Sequence, residues 1–175
     1  MRAMQISEIR LRNWADEDFW LLPRTVGDPV MTMYLGGPET DKKMRSRHEK
    51  YVAMNDSDEG KMLVIMAGID QVPVGTHGYW EKEWQGKTVW ETGWFVLPEF
   101  QKQGVATLAT QLLITLLKKL DKHRFLHAYP SIKNTASNTI CRKLGFTLQG
   151  EYDFEYPKGH WMRCNDWQID LKSDS

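Results

Sequence analysis

A chain of 175 residues with 23 basic and 23 acidic side chains has no formal net charge at neutral pH. That length favours one domain over 1–175, able to bury a core without disulfide or metal. Neutrality removes the simplest electrostatic case for a nucleic acid or an anionic membrane as partner. No apolar run approaches the ~20 residues of a membrane span, and Met1 to Arg12 lacks a signal-peptide core. Cys141 and Cys164 lie far apart with no CxxC pairing, which reads as reduced thiols in a cytoplasmic protein; one remote disulfide is the alternative. His48, His77, His123, His127 and His160 form no ligand cluster, so no metal is expected.

Ile6 to Leu11 alternates apolar and polar residues as a half-buried strand should. Asp16-Glu17-Asp18 places acid at a helix start, and Pro23 keeps that helix short or irregular. Gly36-Gly37-Pro38 breaks the chain before a helix from about Glu39 to Met54. Three strands follow, at Lys61 to Ile69, Val72 to Lys82 and Thr88 to Leu97, joined by short polar turns that predict antiparallel hairpins. Val105, Leu108, Leu112, Leu113, Leu116 and Leu120 then recur at helical spacing, with Ala109 and Leu117 widening the stripe. Arg124 to Tyr129 reads as a buried strand. Thr135 to Leu144 reads as a helix with Asn134 as N-cap and Gly145 past its end. Phe146 to Tyr156 and Trp161 to Leu171 close the chain as two strands. The order β-α-α-β-β-β-α-β-α-β-β predicts an α+β sandwich around one mixed sheet.

The most informative stretch is Gln101-Lys102-Gln103-Gly104-Val105-Ala106-Thr107, between the strand stopped by Pro98 and the leucine-rich helix. A helix start leaves backbone N–H groups unpaired and carries partial positive charge. Small residues at Gly104 and Ala106 allow a bulky anion to approach those groups. Gln101 and Lys102 can close over it, and Thr107 can add a hydroxyl. The physical expectation is a pyrophosphate cradle; the alternative is an ordinary strand-to-helix turn. Neither a P-loop nor a dinucleotide fingerprint is present.

Gln101-x-x-Gly104-x-Ala106, following Glu91-Thr-Gly93-Trp-Phe-Val96-Leu-Pro98, resembles the Q/R-x-x-G-x-G/A motif of the GNAT N-acetyltransferase superfamily. Asn134-Thr-Ala136-Ser137, ending in Lys143-Leu144-Gly145-Phe146, is similar to that superfamily's second cofactor motif. Asp28-Pro29-Val30, Tyr34-Leu35-Gly36-Gly37 and Glu91-x-Gly93 look most like the RimJ/RimL-like branch, which acetylates ribosomal-protein N-termini. The resemblance implies a mixed, mostly antiparallel sheet of about six to seven strands flanked by about four helices. It implies transfer of acetyl from acetyl-CoA to a primary amine by direct attack, without a metal.

By the same resemblance, the strand ending at Pro98 splays from the one at Arg124 to Tyr129, and acetyl-CoA lies in the gap. Its pyrophosphate rests on the Gln103 to Thr107 amides, its arm pairs with backbone near Phe95 and Val96, and Asn134 touches the arm from the other side. A base must deprotonate the amine; Glu91 is the first candidate, beside the bulge-prone Gly93, and His77 the second. Many members place a tyrosine four residues before the Gly-Phe glycine, where this chain has Cys141. Ser137 or Tyr129 could protonate the leaving sulfur instead, or water could. That departure also motivates the alternative of a non-catalytic acyl-CoA-binding or sensor module. Trp80, Trp84, Trp90 and Trp94, with Glu81, Glu83 and Glu91, suit a cationic or aromatic amine, although strand alternation divides them between two faces. Candidate acceptors are a protein N-terminus, a polyamine, an amino-sugar drug or an amino acid, and the protein is expected to be a monomer or homodimer.

Overall fold

The computed structural model describes residues 8–173. Its strands are β1 (Arg10–Asn13), β2 (Gly60–Ala67), β3 (Val72–Trp84), β4 (Lys87–Val96), β5 (Phe125–Ala128), β6 (Thr147–Glu155) and β7 (Trp161–Asp170). Its α-helices are α1 (Asp41–Ala53), α2 (Val105–Leu120) and α3 (Thr135–Lys143). All seven strands form one sheet in the order β1-β2-β3-β4-β5-β7-β6. Only β4 and β5 run parallel; the other neighbours are antiparallel.

The opening strand sits later than the sequence suggests, and Ile6 and Ser7 lie outside the described residues. The helix expected from Asp16 is a 3-10 segment, Asp16–Leu21, followed by turns. Asp18 accounts for the tight start. Its buried carboxylate accepts from the Ala15 N–H at 2.7 Å and from two Arg12 nitrogens at 2.8 and 2.9 Å. Among the described residues three α-helices therefore form, with this 3-10 segment in place of a fourth.

Helix α2 covers one face of the sheet, where Leu113 and Leu117 meet Trp90, Leu126 and Phe146. Both leucines are fully buried, each contributing roughly 1.5–3 kcal/mol relative to exposure. The inward face is not the stripe that spacing suggests: Val105, Ala109, Leu113 and Leu117 point in, whereas Leu112, Leu116 and Leu120 are exposed. Thr110 makes this rotation possible, because its buried hydroxyl donates to Ala106 C=O and accepts from a buried histidine. The opposite face is covered by the 3-10 segment and α1, with Trp14, Leu21, Met44, Met62 and Val64 at the centre.

The feature that positions the site is a fork in the sheet. β4 pairs with β5 only at Trp90↔Leu126, Glu91↔His127 and Thr92↔Ala128. Beyond that point β4 stays with β3 as far as Gly75↔Val96. The chain leaving β5 stays with β7 instead: Asn165 N–H donates to Pro130 C=O at 2.9 Å and Ile132 N–H to Arg163 C=O at 3.0 Å. Two strands with different loyalties must part, and the gap opens after Thr92 and Ala128.

Candidate functional site

At the edge of this gap α2 begins. Gly104, its N-cap, has φ 80° and ψ 7°, a left-handed conformation that costs glycine little and a β-branched residue much. Lys102, two residues before it, is also left-handed, at φ 60°. No side chain caps the helix, and among the described residues nothing accepts from the first-turn N–H groups. Val105 turns its side chain into the core, so it offers only its amide, while Ala106 keeps the approach narrow-walled. These free amides at the positive end of a sixteen-residue helix fit a diphosphate.

The neighbouring glutamines behave differently from expectation. Gln101 turns back to give its amide to Val96 C=O at 2.9 Å, and Gln103 gives its own to Glu99 C=O at 3.2 Å. Both stiffen the loop from within and leave the amides uncovered. Among the described residues, Lys102 and Thr107 have no hydrogen-bond partner that would occupy them.

The ladder shows which backbone groups line the gap. Leu97 N–H donates to Val74 C=O at 2.9 Å, so alternation gives Phe95 to the β3 ladder and turns Trp94 and Val96 toward the fork. Phe95 is therefore corrected: its polar backbone is spent on Thr76, and it is the backbone groups of Trp94 and Val96 that face the gap. Across the gap, Asn134 caps α3 by accepting from Ser137 N–H at 3.1 Å. Only its oxygen is used, so its Nδ2 remains free to donate. Asn138, which the sequence did not flag, holds this corner. Its amide donates to Ser131 and Asn134 carbonyls, and its oxygen accepts from Asn165 and Trp167.

His77 is misplaced for a base. It is fully buried beneath α2, on the face opposite Glu91, and burial drives its pKa down from 6.5 to about 3. Thr110 spends its hydroxyl hydrogen on Ala106 C=O at 2.7 Å, so His77 Nε2 is the donor in their 2.8 Å contact. That chain props the first turn of α2 from below.

On the opposite face, Glu91 is half-buried and ion-paired with Lys82 at 3.4 Å. Gly93 beside it sits opposite Gly78 in an unbroken β3–β4 register; the register shifts lie between β2 and β3, at Ile65/Met66, and between β6 and β7, at Leu148/Gly150. Tyr129, the first residue past β5, has a buried hydroxyl with no partner among the described residues. Burial, with Asp166 and Glu91 nearby, raises its pKa, which makes it a reluctant proton donor. Ser137 stands half-buried in the first turn of α3, with no partner on its hydroxyl among the described residues. Cys141 is completely buried in the core, and burial pushes its thiol up to about 12. Cys164 is likewise buried, and both thiols are free.

The tryptophans divide between the faces. Trp90 and Trp94 lie on the α2 side, Trp90 in its core and Trp94 against His77 at 5.4 Å. Trp80 and Trp84 lie on the Glu91 side. Glu81 is drawn to the far end of α2 by Lys122 and His123, each at 2.7 Å, and Glu83 accepts from Thr88, so neither joins the site. His127 and Asp166 do, at 2.6 Å from each other and both buried. The register that sets His127 beside Glu91 is a long-range fact no local pattern announces, although a lone Asp between Asn165 and the buried Trp167 was a signal. Among the described residues no cluster of metal-ligand type forms, and no helix is long and apolar enough to cross a membrane.

Residues 8–147 match the family described as acetyltransferase (GNAT) domain. No curated protein sequence matches the chain. Among solved structures, a GNAT-family acetyltransferase from Bacillus anthracis superposes with a TM-score of 0.78 at 19% identity, covering 97% of this chain and 99% of that one. A Salmonella typhimurium acetyltransferase that modifies the N-terminal serine of ribosomal protein L7/L12 gives 0.76 at 18%, covering 95% and 97%. Spermidine N-acetyltransferase from Vibrio cholerae, in complex with CoA and spermine, gives 0.79 at 14%, covering 94% and 96%.

Proposed function

Because this chain belongs to the GNAT acetyltransferase family, we propose that it moves an acetyl group from acetyl-CoA to a primary amine by direct attack, with no covalent enzyme intermediate. The observation that carries the reading is the uncapped start of α2 at the mouth of the fork. Acetyl-CoA would supply a thioester, an acyl group already activated toward an amine. The chain's own part is binding, orientation and proton handling. The amides from Gly104 to Thr107 hold the diphosphate, while Val96 N–H on one side of the fork and Asn134 Nδ2 on the other orient the arm. Glu91 takes the amine proton, directly or through one water. Ser137, whose hydroxyl is uncommitted, is the better placed of the two hydroxyls to return a proton to sulfur. Relatives of this fold that act on a protein N-terminus and on spermidine support an amine acceptor of either kind.

The test pairs binding with turnover. Acetyl-CoA at millimolar concentration should raise the melting temperature, since a ligand that binds only the folded chain stabilises it. A panel of amines should then release free thiol. The sealed position of Cys141 favours one second reading, an acyl-CoA-binding module without chemistry. It would show the thermal shift and no thiol with any amine.

A further inference from the structure

On the Glu91 side of the sheet, the Lys82 ammonium lies 4.7 Å from the ring centroid of Tyr129, 4.9 Å from that of Phe154 and 5.6 Å from that of Trp84. Glu91 Oε2 stands 3.4 Å from the same nitrogen. Three aromatic faces and a carboxylate around one cation make a cage suited to an alkylammonium. We infer that this cage is a subsite for an ammonium group of the acceptor, which enters by displacing the Lys82 ammonium that fills it in the free chain. The inference rests on the transferase reading above and names the acceptor's chemical class.

The cage is built rather than incidental. Asp166, 1% exposed, accepts from Trp84 Nε1 at 3.0 Å with one oxygen. Its other oxygen holds His127 Nδ1 at 2.6 Å. His127 in turn lies parallel to Tyr129 within 17°, centroids 5.6 Å apart. A carboxylate buried at considerable desolvation cost thus fixes two of the three walls. The third, Phe154, stacks on Trp84 at 5.4 Å. The buried Tyr129 hydroxyl beside them has no partner among the described residues, which leaves a hydrogen-bonding position open. Lys82 and Glu91 retain 24% and 22% side-chain exposure, so solvent reaches the cage.

Such a site stabilises positive charge, so the group it holds stays protonated and is not the nucleophile. The attacking amine must be a second one. Glu91 is placed for both, since Oε2 faces the cage and Oε1 has no partner among the described residues. The acceptor is accordingly an alkyl diamine: a free polyamine, or a peptide N-terminus with a lysine close behind it.

Replacing Lys82 with Met keeps the methylenes and removes the ammonium to be displaced. Calorimetric titration of Lys82→Met with 1,4-diaminobutane, without acetyl-CoA, should give binding about tenfold tighter than for the unaltered chain. Adding Trp84→Leu should cancel the gain, and butan-1-ol should not bind. An Ala-Lys peptide amide titrated in parallel separates the two sources: the tighter of it and the diamine identifies the acceptor. Equal diamine affinity with and without Lys82, or butan-1-ol binding as well as the diamine, would overturn the inference. The acetyl-CoA thermal shift, measured on each variant, keeps the outcomes distinct. A retained shift with no cage binding sinks the cage alone, whereas a missing shift in the unaltered chain sinks the transferase reading.

Discussion

The start of α2 and the cage on the opposite face are built from different materials. The first uses backbone: free amides, a left-handed glycine, and side chains chosen mainly for being small. The second uses side chains from four separated segments, those around Lys82, Glu91, Tyr129 and Phe154, locked by Asp166 from a fifth. A backbone site is written in consecutive residues and tolerates change wherever geometry survives. A side-chain site depends on register between distant strands, and each member is exposed to single substitutions.

That contrast can be broken or sharpened by mutation. The largest effect belongs to Glu91→Gln, which should lower kcat by about 10²–10⁴-fold while leaving the acetyl-CoA thermal shift intact; steady-state rates and melting curves on one preparation decide it. Gly104→Val is the mirror case. A β-branched residue at φ 80° carries roughly 1–3 kcal/mol of strain and crowds the amides. Acetyl-CoA affinity should fall about 100-fold by calorimetry, with diamine binding little changed. Asp166→Asn leaves one buried contact unmatched and should cost about 1–3 kcal/mol of stability, raising the acceptor KM more than the acetyl-CoA KM.

His77→Gln tests the strut beneath α2. Below its unfolded pKa of 6.5 the unfolded chain protonates His77, while the folded chain resists down to about 3. Its contribution is therefore complete above 6.5 and drains away as pH falls through that window. Melting temperature should decline less steeply between pH 6.5 and 3 in the Gln variant than in the unaltered chain. The smallest effect is expected from Arg24→Ala. The exposed pair with Glu99 at 2.8 Å should be worth less than about 1 kcal/mol, and acetyl-CoA binding should not notice it.

The same division explains what could be read from the sequence. Most strand and helix positions followed from periodicity and from Pro98 and Gly145, and the uncapped start of α2 from Gly104 and Ala106 in consecutive order. Phe95 went wrong because hydrogen-bonding direction depends on which neighbour a strand pairs with, and Leu97 to Val74 decides that. His77 went wrong because strand parity places it on the α2 face, against Thr110. The α2 stripe was rotated because a polar Thr110 can be buried once a histidine meets it, a compensation invisible along the helix. His127 and Asp166 meet across β5 and β7, and no spacing within either strand encodes that.

One tie across the molecule bears on how firmly the ammonium cage is held. Arg47 on α1, itself paired with Glu39, reaches Tyr156 Oη at 3.0 Å. A Cβ on Gly36 would come within 2.5 Å of Pro157. The β6–β7 hairpin is thus anchored at its root by β5 and pinned near its tip by α1, like a beam resting on two posts rather than projecting from one. Phe154 sits two residues from the outer post. Bending there would swing an aromatic wall, so the rigidity of the cage around Lys82 is set partly by an arginine that lies outside it.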